Sequence, residues 1–275
     1  MRIRGQRGVR VREVTDGYVV ELVDPGAAAA GPAGPAGADG ADGADGADGA
    51  DGADGADGRV DPEVVLDVYD DFTRGVGGVT TFTFGGGGAG VTAAAGEAAA
   101  PGIAEANTGT SGAGYAGAWL ISPDALVFGT GVWRAKLRVR FANLSTAAQR
   151  YAAQVGFFDT ETANPQGDAA YLLYDESVSA NWQTVTAQGA TRTTTTSGTA
   201  VASATWIRVE VVVNAAASSV EYFVDGVSLG THSANIPTGT QKTGLGFRIH
   251  KSVGTTARTL AVDYVHARCE FTSAR

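Results

Sequence analysis

Asp159 and Glu161, in Phe158-Asp159-Thr160-Glu161, would share a face if their segment were a strand. Two carboxyl groups roughly 5–10 Å apart are what glycoside hydrolysis generally asks for. The segment runs on into Asn164-Pro165-Gln166-Gly167, however, so the pair reads as the start of a polar loop. Gly112-Ala113-Gly114-Tyr115-Ala116-Gly117 spells G-x-G-x-x-G, which cradles a dinucleotide only after a strand and before a helix. Here it follows a Gly/Ala-rich loop and leads into the strand-like Ala118-Trp119-Leu120-Ile121, so nucleotide binding is excluded. Gly85 to Gly88 lacks the Gly-Lys-Ser/Thr of a phosphate loop, and Gly109-Thr110-Ser111-Gly112-Ala113 breaks the nucleophile-elbow pattern at its last position. His232, His250 and His266 are too scattered to predict a metal-ligand set. Cys269 is the single cysteine, which excludes a disulfide framework and reads as a small buried residue of the last strand.

Binding residues are easier to find than catalytic ones. Tyr171, Tyr174 and Trp182 flank Asp175-Glu176-Ser177, with Asn181 beside them. Aromatic rings pack on the apolar faces of sugars, so Tyr171, Tyr174, Asp175, Asn181 and Trp182 form a candidate glycan site. The alternative is that the rings are core residues of two neighbouring strands. Arg134, Lys136, Arg138 and Arg140 alternate with apolar residues, giving either a surface for acidic polysaccharide or a solvated or self-contacting sheet face. Nucleic acid is a poor partner: the net charge is −9, and the long segment after residue 58 is itself mildly acidic.

The segment that must position any such head is the most regular in the chain. Glycine recurs at Gly31, Gly34, Gly37, Gly40, Gly43, Gly46, Gly49, Gly52, Gly55 and Gly58, first in two Gly-Pro-Ala triplets and then in seven Gly-Ala-Asp triplets. A flexible linker has no reason to keep this register, whereas a triple helix needs glycine at every third position because nothing larger fits at its axis. The reading is a parallel homotrimer with a stalk on the order of 80 Å, from about 3 Å of rise per residue. Asp39, Asp42, Asp45, Asp48, Asp51, Asp54 and Asp57 repel one another with no base between residues 31 and 58. Folded ends must therefore clamp the stalk, and diffuse cations such as Ca²⁺ are expected along it. No other cofactor is expected.

Residues 1–30 are read as a β-hairpin anchor. Val9–Val14 and Tyr18–Val23 flank Thr15-Asp16-Gly17, and Asp-Gly between alternating runs is a strong turn signal. Arg2, Arg4, Arg7, Arg10 and Arg12 make its first half basic, suiting either a solvated edge or an acidic socket on a larger assembly. After a linker over 59–66, residues 67–275 read as all-β. Period-two runs occupy 133–141, 207–213, 220–224 and 260–266, with further strands expected at 67–72, 79–84, 151–158, 170–175, 182–187 and 244–250. The predicted fold is a hairpin, a collagen-like triple helix and a two-sheet jelly-roll sandwich. Met1-Arg2-Ile3-Arg4-Gly5 has no apolar run behind it and no stretch is long enough for a bilayer, so a protein soluble when made is expected, without membrane insertion.

Several motifs of the head then carry a likeness. Val68-Tyr69-Asp70-Asp71-Phe72-Thr73-Arg74 opens it, and Trp206-Ile207-Arg208-Val209-Glu210 follows. Tyr222-Phe223-Val224-Asp225-Gly226-Val227, Ile236-Pro237, Arg248-Ile249-His250-Lys251-Ser252 and Leu260-Ala261-Val262-Asp263-Tyr264-Val265 close it. This order resembles concanavalin A-like (laminin G-like) jelly rolls, especially those ending bacteriophage tail and capsid fibres. The resemblance implies a trimeric virion fibre on tail or capsid, joined to other virion proteins through its N-terminus. Its head would attach to a host-surface glycan or protein. The alternatives are a purely structural decoration fibre and a glycan depolymerase. Hydrolases of this class use a Glu-x-Asp-x-x-Glu strand that is absent here, so a non-enzymatic protein is expected.

Overall fold

A computed structural model describes residues 9–14, 17–22, 63–76, 82–162 and 166–274, the first two segments by their backbone alone. The chain divides into two units, Met1–Gly55 and Ala56–Arg275. In the first, β1 (Val9–Val14) pairs antiparallel with β2 (Gly17–Leu22) as expected of a hairpin, but Val14 stands opposite Gly17, so Gly17 belongs to the second strand rather than to the turn. The ten stalk glycines, the seven stalk aspartates and Arg2, Arg4 and Arg7 lie outside the described residues. For Arg10 and Arg12 only the strand backbone is described.

The second unit is built from β3 (Val65–Asp70), β4 (Phe82–Gly86), β5 (Gly90–Ala94), β6 (Ile103–Asn107), β7 (Tyr115–Leu126), β8 (Gly131–Phe141), β9 (Tyr151–Phe158), β10 (Ala169–Asp175), β11 (Ser179–Gln188), β12 (Thr191–Ala200), β13 (Ile207–Val213), β14 (Val220–Val224), β15 (Val227–His232), β16 (Thr243–Lys251) and β17 (Thr259–Phe271). These make two antiparallel sheets, and no helix occurs among the described residues. The seven-stranded sheet runs β12-β11-β10-β9-β16-β7-β4. The eight-stranded sheet runs β15-β14-β13-β8-β17-β6-β5, with β3 also paired to β17.

The expected strands at 151–158, 207–213 and 220–224 are found unchanged. β3 begins at Val65, inside the stretch read as linker, and ends before Phe72, whose φ of 55° cannot continue a strand. β5, β6, β12 and β15 were not expected. Gly90-Val91-Thr92-Ala93-Ala94 and Thr191-Arg192-Thr193-Thr194-Thr195-Thr196 carry no apolar alternation, and pairing to a neighbouring strand is what makes them extended. The turn between β14 and β15 follows its sequence signal. Asp225 (φ 49°) and Gly226 (φ 82°) both adopt left-handed backbone, the geometry of a type I′ hairpin.

The core lies between the sheets. β8 sends Trp133, Ala135, Leu137, Val139 and Phe141 inward in strict alternation. Phe141 sits 5.3 Å from Tyr174 and 5.8 Å from Trp182, ring centre to ring centre. Burying each such side chain is worth about 1.5–3 kcal/mol. Cys269 belongs to this core, as its place in the last strand implies.

Candidate functional site

On the face of the eight-stranded sheet that turns away from the core, register brings distant residues into one grid. Arg138 on β8 stands opposite Arg208 on β13 and opposite Tyr264 on β17. One step along, Lys136 stands between Glu210 and His266, and His266 stands opposite Tyr69 on β3. A register shift between Val262 and Tyr264 accompanies the placement of Asp263, which is 5% exposed yet bonded to Arg138 at 2.7 Å.

Carboxylates thread the cationic row. Glu210 Oε1 lies 3.1 Å from Arg134 and 3.7 Å from Lys136. Arg140 pairs with Glu97 at 2.7 Å. Trp206 Nε1 donates to the same carboxylate at 3.2 Å. These two hydrogen bonds, Arg140's first, hold the Glu97 carboxyl below the usual carboxylate range. The guanidinium carbons of Arg140 and Arg138 lie 4.4 and 5.1 Å from the Trp206 ring centre, within cation–π range. Row 134–140 is therefore a face of ordered pairs rather than a bare basic stripe. Tyr264 packs against Tyr69 with ring centres 5.8 Å apart, and burial raises its pKa.

Between these side chains runs an open groove. One part, about 250 Å³, is lined by Lys136, Arg208, Glu210, Phe223, Asp225 and Tyr264. Another, about 470 Å³, is bounded by Arg138, Trp206, Arg208, Asp225 and Tyr264. The lining is mixed and largely charged, with the rings of Trp206, Phe223 and Tyr264 set among cations and carboxylates. The sequence showed that residues 134–140 share a face. It gave no sign that Arg208, Asp225 and Tyr264 border them, because cross-strand register alone does that.

The glycan site expected around residues 171–182 is not formed. Tyr171 is 0% exposed, Tyr174 1% and Trp182 1%. Tyr174 and Trp182 lie in the core between the sheets, and the Tyr174 hydroxyl accepts the Ser145 N–H at 3.0 Å. Tyr171 belongs to a second apolar cluster with Trp119 and Phe158. Asp175 and Asn181 serve local structure: Asp175 Oδ1 takes the Ser177 hydroxyl at 2.6 Å, and Asn181 Nδ2 donates to the Ser197 carbonyl at 2.9 Å.

That second cluster covers the other side of the seven-stranded sheet and absorbs the acid pair. Asp159 accepts the backbone N–H groups of Gly167 (3.2 Å) and Asp168 (2.8 Å), while burial raises its pKa. Glu161 accepts Trp119 Nε1 at 3.3 Å, and its carbonyl takes Arg248 Nη1 at 2.7 Å. Arg248 is 1% exposed, and burial lowers its pKa to about 10. The glycine-rich run ends here too. A Cβ on Gly117 would stand 2.2 Å from the Phe247 carbonyl oxygen and 2.5 Å from the Phe84 ring, so packing explains that glycine.

The histidines are dispersed. His232 meets Thr184 and Thr186 at 2.9 and 3.0 Å, His250 neighbours Arg248, and His266 contacts Asp67 at 2.7 Å. Among the described residues, no three His, Cys, Asp or Glu side chains group in a way that could hold a metal ion. Nor is any helix among them long and apolar enough to cross a membrane.

Residues 99–263 match the SO2946-like C-terminal domain. The chain belongs to that family. The protein of unknown function SO2946 from Shewanella oneidensis MR-1 superposes with a TM-score of 0.59 at 13% identity, over 77% of this chain and 89% of that one. Peanut lectin does so with 0.53 at 10%, over 76% and 99%. The endo-1,3-beta-glucanase from Streptomyces sioyaensis gives 0.51 at 14%, over 78% and 99%. No curated protein matches in sequence. At these identities the likeness establishes the fold alone, a two-sheet jelly-roll sandwich.

Proposed function

We propose that this chain is a homotrimeric fibre protein of a phage virion, whose jelly-roll head attaches to a host-surface saccharide through the groove at Arg138, Trp206, Arg208, Asp225 and Tyr264. The observation that carries the attachment reading is that groove: Tyr264 and Trp206 supply apolar wall beside guanidinium and carboxylate groups that can bond hydroxyls. The fibre reading rests on ten glycines in unbroken register ahead of the head. The basic N-terminal hairpin is the join to other virion proteins, and the stalk aspartates gather cations such as Ca²⁺.

The similar folds include a lectin and a glucanase, so the sandwich does not choose between binding and hydrolysis. The reading here is binding without catalysis, because Asp159 and Glu161 are engaged by loop amides and by Trp119. A glycan array probed with the full chain tests attachment. Binding to a defined saccharide set, lost in Tyr264→Ala, is expected, and silence across the array would return the head to a structural decoration role. Sedimentation should give an elongated particle of three times 27.8 kDa, and a compact monomer would remove the fibre reading. Release of reducing sugar from a bound glycan would overturn the non-catalytic part.

A further inference from the structure

We infer that the groove selects acidic saccharides, seating a carboxylate or sulfate of the sugar between Arg208 and Arg138. This rests on the saccharide-binding reading and adds its ligand class. In the β13–β8 register Arg208 stands directly opposite Arg138. Like charges placed opposite one another destabilise a sheet, so the pair needs an anion to offset it. Arg138 has one: Asp263, nearly buried, at 2.7 Å. Arg208 is held far more loosely. Its Nε is 3.9 Å from Asp225 Oδ1, and its side chain is 70% exposed. That same carboxylate oxygen already accepts the Arg208 backbone N–H at 2.9 Å.

The charge count agrees. Of the charged side chains that line the groove, Lys136, Arg138 and Arg208 outnumber Glu210 and Asp225 by one, on a chain whose net charge is −9, and Asp263 lies nearly buried behind Arg138. The excess is local and central, since Arg138, Arg208 and Tyr264 border the same space. Trp206 lies 5.1 Å from the Arg138 guanidinium carbon, which fixes that group's direction before any ligand arrives. Guanidinium forks match the paired oxygens of carboxylate and sulfate alike. A neutral sugar can use Tyr264 and the hydroxyl partners but leaves the two arginines facing each other.

Calorimetric titration of the full chain with oligogalacturonate, sulfated dextran oligomers and neutral dextran oligomers tests this. At least one acidic ligand should bind about tenfold or more tightly than the neutral one at low salt, with the gap narrowing as salt rises. Which anion binds better identifies the natural substituent, and either supports the inference. Arg208→Gln should close the gap by weakening the acidic ligand much more than the neutral one, with the melting temperature unchanged, and Asp225→Asn should widen it. If acidic and neutral ligands bind equally, or if Arg208→Gln weakens both alike or leaves the gap intact, the charge-reading inference is overturned. Saccharide attachment through the groove would still stand. If no saccharide binds the unmutated chain at all, both fall.

Discussion

The two outward faces of the head solve opposite problems with one architecture. On the eight-stranded sheet, β8 alternates buried and half-buried residues without a break, and its outward side chains are charged, paired and open to solvent. On the seven-stranded sheet, β9 is buried along its whole length, and Phe84, Trp119, Phe158, Tyr171 and Val185 form a second core behind it. A face that stays wet can carry cations cheaply and present them to a ligand. A face that is covered has its polar groups locked into fixed bonds, as Gln154 is with Gln166 at 3.0 Å. The lesson concerns where function can reside: aromatic residues on the covered face are structural however suggestive their company.

Trp119→Ala should give the largest effect that separates the faces. It empties a site that is 2% exposed, so denaturant unfolding should show a loss of about 3–5 kcal/mol. A loss under about 1 kcal/mol would mean that the second cluster is not a core. Asp263→Asn comes next, at about 2 kcal/mol, because it strands the half-buried Arg138 without its carboxylate. An unchanged stability would show Arg138 to be solvated and the groove less ordered than the geometry indicates.

The third prediction concerns pH. Burial holds His232 below its ordinary value, and burial followed by the Arg248 guanidinium holds His250 at about 3. Both are then neutral when folded and take up protons more readily when unfolded. Stability should be level above the unfolded histidine value of about 6.5 and decline as pH falls below it, towards the folded values. Thermal melts between pH 4 and 8, spanning the unfolded value of about 6.5, should show that decline, with a shallower slope in His232→Gln. A melting temperature that rises on acidification would contradict it. The smallest effect belongs to the exposed pairs. Arg134→Gln should cost under about 1 kcal/mol, marking the wet face as one that can be altered without unfolding.

Much of the fold could be read in advance wherever a strand has one wet side, because alternation then records burial directly. Residues 207–213 and 220–224 are such cases, and the Asp225-Gly226 turn is readable because few residue pairs tolerate two positive φ angles. Tyr-Ala-Ala-Gln-Val-Gly-Phe-Phe at 151–158 could be placed as a strand, but nothing in it says that both its sides are covered. The same blindness puts Tyr171 in the expected glycan site, whereas Tyr174 and Trp182 turn into the core between the sheets.

Local chemistry was enough to define the Gly-X-Y register, the Asp225-Gly226 turn, the strands that alternate and the burial of Cys269, since each depends on a residue and its near neighbours. The groove has no local signature. Arg138 and Asp263 are 125 residues apart, and they meet because β8, β13 and β17 lie side by side in one particular register. A slip of one residue would turn the charged row into the core, so the buried sides of all three strands, acting together, decide where Arg208, Tyr264 and Asp225 converge.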